Sequence, residues 1–426
     1  MRKLLLGTGV MMGLAGPVWA TGVNTIAIDD GSGPTTTLSI IQDTTAVGNT
    51  VSGNGSTAGA ATTLPIVGPW NSIVINQTGT NNTLQGAITS KGTSTTAAVL
   101  ANYTNTSGSA GNVHSLTIGG TTPPANPSVT IYVKNNNTTG ANTVTDVLDG
   151  ATLSYNLGLQ GSNNTVSNTV SATTGAVTLT EGASAYGIAS NHGINGSTNT
   201  ITNSLTSGAG TVSASLLVNG STNTLTNTIT TSGGDITLTQ GGASAGIIGS
   251  SNSITNTIGQ STPVGSFEQT LLVSGSGNTI TNTVDSAGAK TVDVSLTATS
   301  SNNTVATTVS GGGAQTASLT ITGSSYIDYA ITSAGSSSYA TVALTNMGGS
   351  GGSPAIVRVE QTSAASGATA NLSVDGGGNA LGLVGSIPGT YSSSGAGVVV
   401  YQNTAGAYLN ASVTGATAGY TVLFKQ

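Results

Sequence analysis

Cysteine is missing from all 426 residues of this chain. That excludes a disulfide framework, a thiolate metal site and a lipid-modified cysteine. Charge is nearly missing too: 7 Lys and Arg stand against 13 Asp and Glu, and charged residues make up 5% of the chain. So few cations cannot neutralise a phosphate backbone, and nucleic acid is not an expected partner. Aromatic residues, at 4%, are too sparse for a large globular core of the ordinary kind. Disorder couples low hydrophobicity to high net charge, whereas here Thr, Val and Ile, all β-formers, recur throughout. Outside the first twenty residues no window keeps a helical period.

Those first twenty residues, MRKLLLGTGVMMGLAGPVWA, place Arg2 and Lys3 before an apolar stretch and end on small residues around Trp19. This is the order of a secretory signal with cleavage after Ala20. Removing it leaves five cations against the same thirteen acidic residues. No other segment approaches the ~18 continuous apolar residues of a membrane span. The expectation is a secreted chain, extracellular or at the cell surface, with no integral span after cleavage.

What is present is repetition. The phrase Gly-Ser-x-Asn begins at Gly161, Gly196, Gly220, Gly249 and Gly275, with degenerate copies at 300 and 323. A unit of some 23–29 residues, once stretched to 35, is the mark of a solenoid. Within a unit the period is two. Leu225, Asn227 and Ile229 alternate with Thr224, Thr226 and Thr228, and before the turn Ala214, Leu216 and Val218 alternate with Ser213, Ser215 and Leu217. Each unit reads as strand, glycine turn, strand and return. The expected fold is all-β, a β-solenoid of stacked strand-turn-strand coils in a single elongated domain. Its longer spacings fall where Gly and Ala accumulate, as in EGASAYGIASNHG and QGGASAGII, which read as loops or a short extra arm.

Stacking would align Val166, Ile201, Leu225, Ile254, Ile280 and Val305 in one inward column. Beside it Asn168, Asn203, Asn227, Asn256 and Asn282 would form another, with Thr307 next in line. Buried asparagines are costly unless paired, and in register they can bond to one another as an amide ladder. The other reading is that these asparagines sit in turns, where Asn is common. Outward, Thr200, Thr202, Thr224, Thr226, Thr228, Thr255, Thr257, Thr279, Thr281 and Thr283 would make rows of hydroxyls, interrupted at Ala306 and Asp328. These serve either as plain β-formers or as a display surface.

The boundaries are soft. After the signal, residues 21–128 form an irregular β region with Pro34, Pro65, Pro69, Pro123, Pro124 and Pro127, which mark loops, edges or irregular coils. Residues 129–346 hold the core repeats, proline-free up to Pro263. Residues 347–426 open on the linker-like GGSGGSP and end in further coils, with GYTVLFKQ as a capping or docking strand. Catalytic signals are poor. His114 and His192 are the only histidines, and the matches to G-x-S-x-G at Gly242 and Gly348 lack the strand-to-helix context of a nucleophile elbow. Asp29-Asp30-Gly31 and Gly233-Gly234-Asp235 lack the clustered acids of a calcium site. Neither an enzyme nor a cofactor is expected.

One turn carries a resemblance. Gln77-Thr78-Gly79-Thr80-Asn81-Asn82 has the Gln-x-Gly-x-x-Asn pattern of the repeats of curli-type bacterial fibre subunits, secreted functional amyloids. Val218 through Asn223, with Gly220, and Val374 through Asn379, with Gly376, keep the Gly and Asn but carry Val in place of Gln. The second Gln of those repeats is mostly absent. The resemblance implies export past the outer membrane with a nucleation partner, a β-solenoid monomer, and end-to-end self-association into biofilm-matrix fibres. Solenoid ends favour the same outcome, since unblocked strand edges accept further strands. The alternatives are an ice- or polysaccharide-binding surface made of the Thr-x-Thr rows, similar to those of ice-binding proteins, or a surface adhesin.

Overall fold

In the computed structural model the described residues run unbroken over 141–181, 194–242 and 245–260, with further strands between Asn24–Thr25 and Val422–Lys425 on either side. Every described element is a strand. The chain divides into two compact units, residues 1–207 and 208–426. Each is built from two parallel sheets whose neighbouring strands come from successive coils, so the protein is a β-solenoid.

In residues 208–426 one sheet carries the strands Thr224–Thr231, Ser253–Gln260, Thr279–Ser286 and Thr304–Gly311, and continues through Tyr326–Ser333 to Val422–Lys425. The other, the return sheet, runs from Val212–Leu216 through Ile236–Gly242, Phe267–Ser274 and Lys290–Ala298 to Tyr408–Thr414. In residues 1–207 the corresponding sheets contain Ala110–Gly119, Ala141–Gly150, Thr165–Ala172 and Thr200–Ser207 on one side. Ser128–Asn135, Leu153–Gln160 and Val177–Glu181 lie on the other. Pro65 stands inside the short strand Leu64–Val67.

The two-residue period of the sequence becomes a strict burial alternation. Along Thr165–Ala172 and Thr224–Thr231 every second side chain is buried, and those between face outward. Val166 pairs with Ile201 in the first unit, and Leu225, Ile254, Ile280 and Val305 follow one another in the second. The return strands contribute Ala214, Leu216, Val218, Ile236 and Leu238, all fully or almost fully buried. Each such Val, Leu or Ile side chain contributes about 1.5–3 kcal/mol by leaving water, so the core is built from small aliphatics in quantity rather than from rings. Tyr155 and Phe267 are the largest fully buried side chains among the described residues.

The irregular spacings have a structural cause. Leu153–Gln160 pairs first with Val177–Glu181 and then, further along, with Ile194–Asn195. The long unit therefore inserts residues into the middle of a return strand that afterwards resumes its register. The same happens beside Phe267–Ser274, which pairs with Ile236–Gly242 and then Ala245–Ile248. There Gly241 and Gly242 lie antiparallel to Gly246 and Ala245, a short arm leaving the coil.

Candidate functional surface and its scaffold

The Gly-Ser-x-Asn turn is a set of between-coil contacts, one at each position. The glycine adopts a positive φ, 149° at Gly196 and 131° at Gly249, where a side chain is disfavoured. A Cβ on Gly196 would also strike the carbonyl of Gly161, and one on Gly249 that of Gly220. The serine hydroxyl accepts from the backbone N–H of the next coil: Ser162 Oγ from Ser197 at 3.2 Å, and Ser221 Oγ from Ser250 at 3.1 Å. The third position is left-handed in each described copy, at Asn163, Thr198, Thr222, Ser251 and Gly277.

The asparagine of the turn forms a ladder of its own, which is not among the columns expected from the sequence. Asn142 Nδ2 donates to Asn164 Oδ1 at 2.7 Å, and Asn164 Nδ2 to Asn199 Oδ1 at 2.8 Å. In the second unit Asn223 donates to Asn252 and Asn252 to Asn278, both at 3.1 Å. The same carbonyl oxygens also accept the backbone N–H of the preceding asparagine. The signal was available, because this Asn recurs in every copy of the phrase.

The second asparagine column lies inside the strand. Asn168 Nδ2 donates to Asn203 Oδ1 at 3.0 Å in the first unit. In the second, Asn227 donates to Asn256 at 2.9 Å, Asn256 to Asn282 at 2.8 Å, and Asn282 to Thr307 Oγ1 at 3.2 Å. All are buried. Gln240 from the return sheet joins this column: its Nε2 donates to Asn256 Oδ1 at 3.3 Å, and its Oε1 accepts from Asn256 Nδ2 at 3.1 Å and from Gln269 Nε2 at 2.8 Å. Both hydrogens of the Asn256 amide are thereby used. Neither glutamine was singled out from the sequence, because nothing local marks a return-strand Gln as facing an asparagine on the opposite sheet.

In the first unit the position next to Asn168 in register is Asp146. Its Oδ2 accepts from the Tyr155 hydroxyl at 2.6 Å, and its Oδ1 lies 2.9 Å from His114 Nε2. All three side chains are fully buried. This cluster has the residue types of an acid–base site, held away from solvent.

Outward, the threonines form an array. In the second unit three columns cross four coils: Thr224, Ser253, Thr279 and Thr304; Thr226, Thr255, Thr281 and Ala306; Thr228, Thr257, Thr283 and Thr308. The outer columns are largely exposed and the middle one half-buried. Asp328 follows Ala306 in the middle column, and Asp285 stands in the column beyond Thr283, where Ser310 Oγ donates to it at 3.0 Å. In the first unit Thr200 and Thr202 follow Thr165 and Ser167, while the exposed Val147 precedes Thr169.

The turns carrying the curli-type pattern are only partly described. Gln77 and Gly79 belong to the strand Trp70–Gly79, with Gln77 beside Gln42 in register. Gly220 and Asn223 form one of the turns above. Asn82, Gly376 and Asn379 lie outside the described residues, as do residues 1–20, His192 and the stretch 348–354. Among the described residues no helix is long and apolar enough to cross a membrane, and no group of three or more His, Asp or Glu could hold a metal. No protein-family description, curated protein or solved structure matches the chain.

Proposed function

We propose that the chain is a structural subunit of an extracellular or cell-surface fibre, a component of the biofilm-matrix type that lengthens by adding copies coil on coil. One observation carries this reading: contacts between coils are made between like residues at equivalent positions. Within the central repeats Ser meets Ser, Asn meets Asn and Thr meets Thr, so there the surface that one coil offers is the surface that the next requires. Such a contact is heterologous and does not close on itself, which is the geometry of a filament. The β-ladder supplies affinity by the addition of strands, and the amide columns favour correct register, because a slip would orphan buried amides. The curli-type turn pattern and the signal-like first twenty residues support export to the cell surface. Enzymatic turnover has no part in this reading.

The test is negative-stain electron microscopy of purified residues 21–426, followed over days at several concentrations. Long unbranched fibres that seed fresh monomer are the expected outcome. Persistent short monomeric rods would sink the proposal.

A further inference from the structure

We propose that the threonine face of residues 208–426 binds the surface of crystalline ice. This activity stands whether or not the chain polymerises. The face presents the three columns that begin at Thr224, Thr226 and Thr228, in parallel register across four coils with a single non-hydroxyl position, Ala306. Its repeat is about 4.7–4.9 Å between coils and about 6.5–7 Å between outward residues along a strand. Threonine is stiff at χ1, so methyl and hydroxyl project in fixed directions.

The face is pinned from behind. Directly between the threonines on each strand lie Asn227, Asn256 and Asn282, whose amides bond from coil to coil. Sliding one strand past another would break that column, so the hydroxyl spacing holds in two dimensions.

The chemistry of the face selects the partner. Across these four coils its three columns carry no charge, with Asp285 in the adjoining column and Asp328 after Ala306, whereas on the return sheet Glu268 is exposed and Asp293 is its partner in register. A polyanion or an anionic membrane has no cation within this patch to pair with. Across these four coils the three columns hold only Thr, Ser253 and Ala306, so the patch offers no ring on which a sugar could stack, Tyr326 following Thr304 only in the next coil. A hydroxyl donates and accepts as a water molecule does. The matching partner is neutral, has no apolar rings, and repeats in two dimensions with a donor or acceptor at every point. Crystalline water has all of these properties.

The experiment grows an ice hemisphere slowly from a dilute, fluorescently labelled solution of the full chain, below the concentration at which any fibres form. It compares labelled protein in ice and in liquid. The wild type is expected to concentrate in ice. The paired substitution Thr255→Tyr with Thr281→Tyr should lower that partition by about tenfold, as bulk forced into the centre of a complementary surface does. Thr237→Tyr, on the return sheet, should leave it unchanged. Circular dichroism checks the fold of each. Should the tyrosine pair fail to fold, Thr255→Ala with Thr281→Ala decides, since it removes two hydroxyls in a column that already holds Ala306; a measurable fall in partition is expected. Exclusion of the wild type from ice, equal loss from both sheets, an unchanged alanine pair, or retention on insoluble cellulose or chitin without incorporation into ice would each overturn the proposal.

Discussion

Asp146 in the first unit and Asn256 in the second occupy the same kind of position, inward on the strand that follows or precedes an asparagine in register. They are surrounded by different kinds of neighbour. Asn256 gives and accepts hydrogen bonds equally, so its neighbours can be copies of itself, and Gln240 closes the remaining sites with another amide. Asp146 can only accept when ionised. It therefore recruits unlike residues, the Tyr155 hydroxyl and the His114 ring. An amide column propagates through any number of coils, whereas a carboxylate ends it. In the first unit Leu116 stands beyond Asp146, whereas in the second the amides end on the hydroxyl of Thr307, followed by Tyr329, Val359, Val400 and Phe424.

Exchanging the two chemistries should produce the largest effect. Asn256→Asp places a carboxylate where no described cation waits and removes both donated bonds. A loss of about 3–5 kcal/mol is expected, as for other uncompensated buried charges, read as a lower midpoint in urea unfolding. An unchanged midpoint would show that the amide column does not hold the coils together.

A smaller effect tests the other half of the comparison. Tyr155→Phe removes the hydroxyl from Asp146 and leaves a buried acceptor short of its donor. The expected loss is about 1–3 kcal/mol. The double variant with Asp146→Asn should recover part of it, because a neutral amide is cheaper to leave short than a carboxylate. Equal losses in single and double variants would remove the case for the Tyr155–Asp146 bond as the source.

The smallest effect comes at the turns. Position three is Asn163 in one unit and Thr222 in the other, at φ values of 59° and 62°. A β-branched residue is strained in that region and Asn tolerates it better. Thr222→Asn should therefore stabilise the chain, by about 0.5–1 kcal/mol, seen as a modest rise in melting temperature. A fall would mean that the Thr222 side chain makes a contact outweighing its backbone strain.

The solenoid class and the inward and outward assignment of Asn227 and Thr228 were legible because alternation is local: a strand sends successive side chains to opposite faces wherever it packs. The strand asparagines were placed by the same logic. The ladder of turn asparagines was not expected because Asn also closes turns by itself, and indeed Asn199 Nδ2 donates to its own Gly196 carbonyl at 2.8 Å. Their second role, the ladder, depends on a partner in another coil. Gln240 and Gln269 were silent for the same reason.

The chain by itself determined the period, the turn residues and the two faces of each strand, since these follow from neighbours one to four positions apart. Only the tertiary structure decided which asparagine meets which, where a return strand breaks and resumes, and that Gly196 must be bare because the Gly161 carbonyl lies against it. Those partners are 22 to 35 residues apart in sequence. They become neighbours only when one coil settles on the next, and the length of each insertion sets which residue arrives.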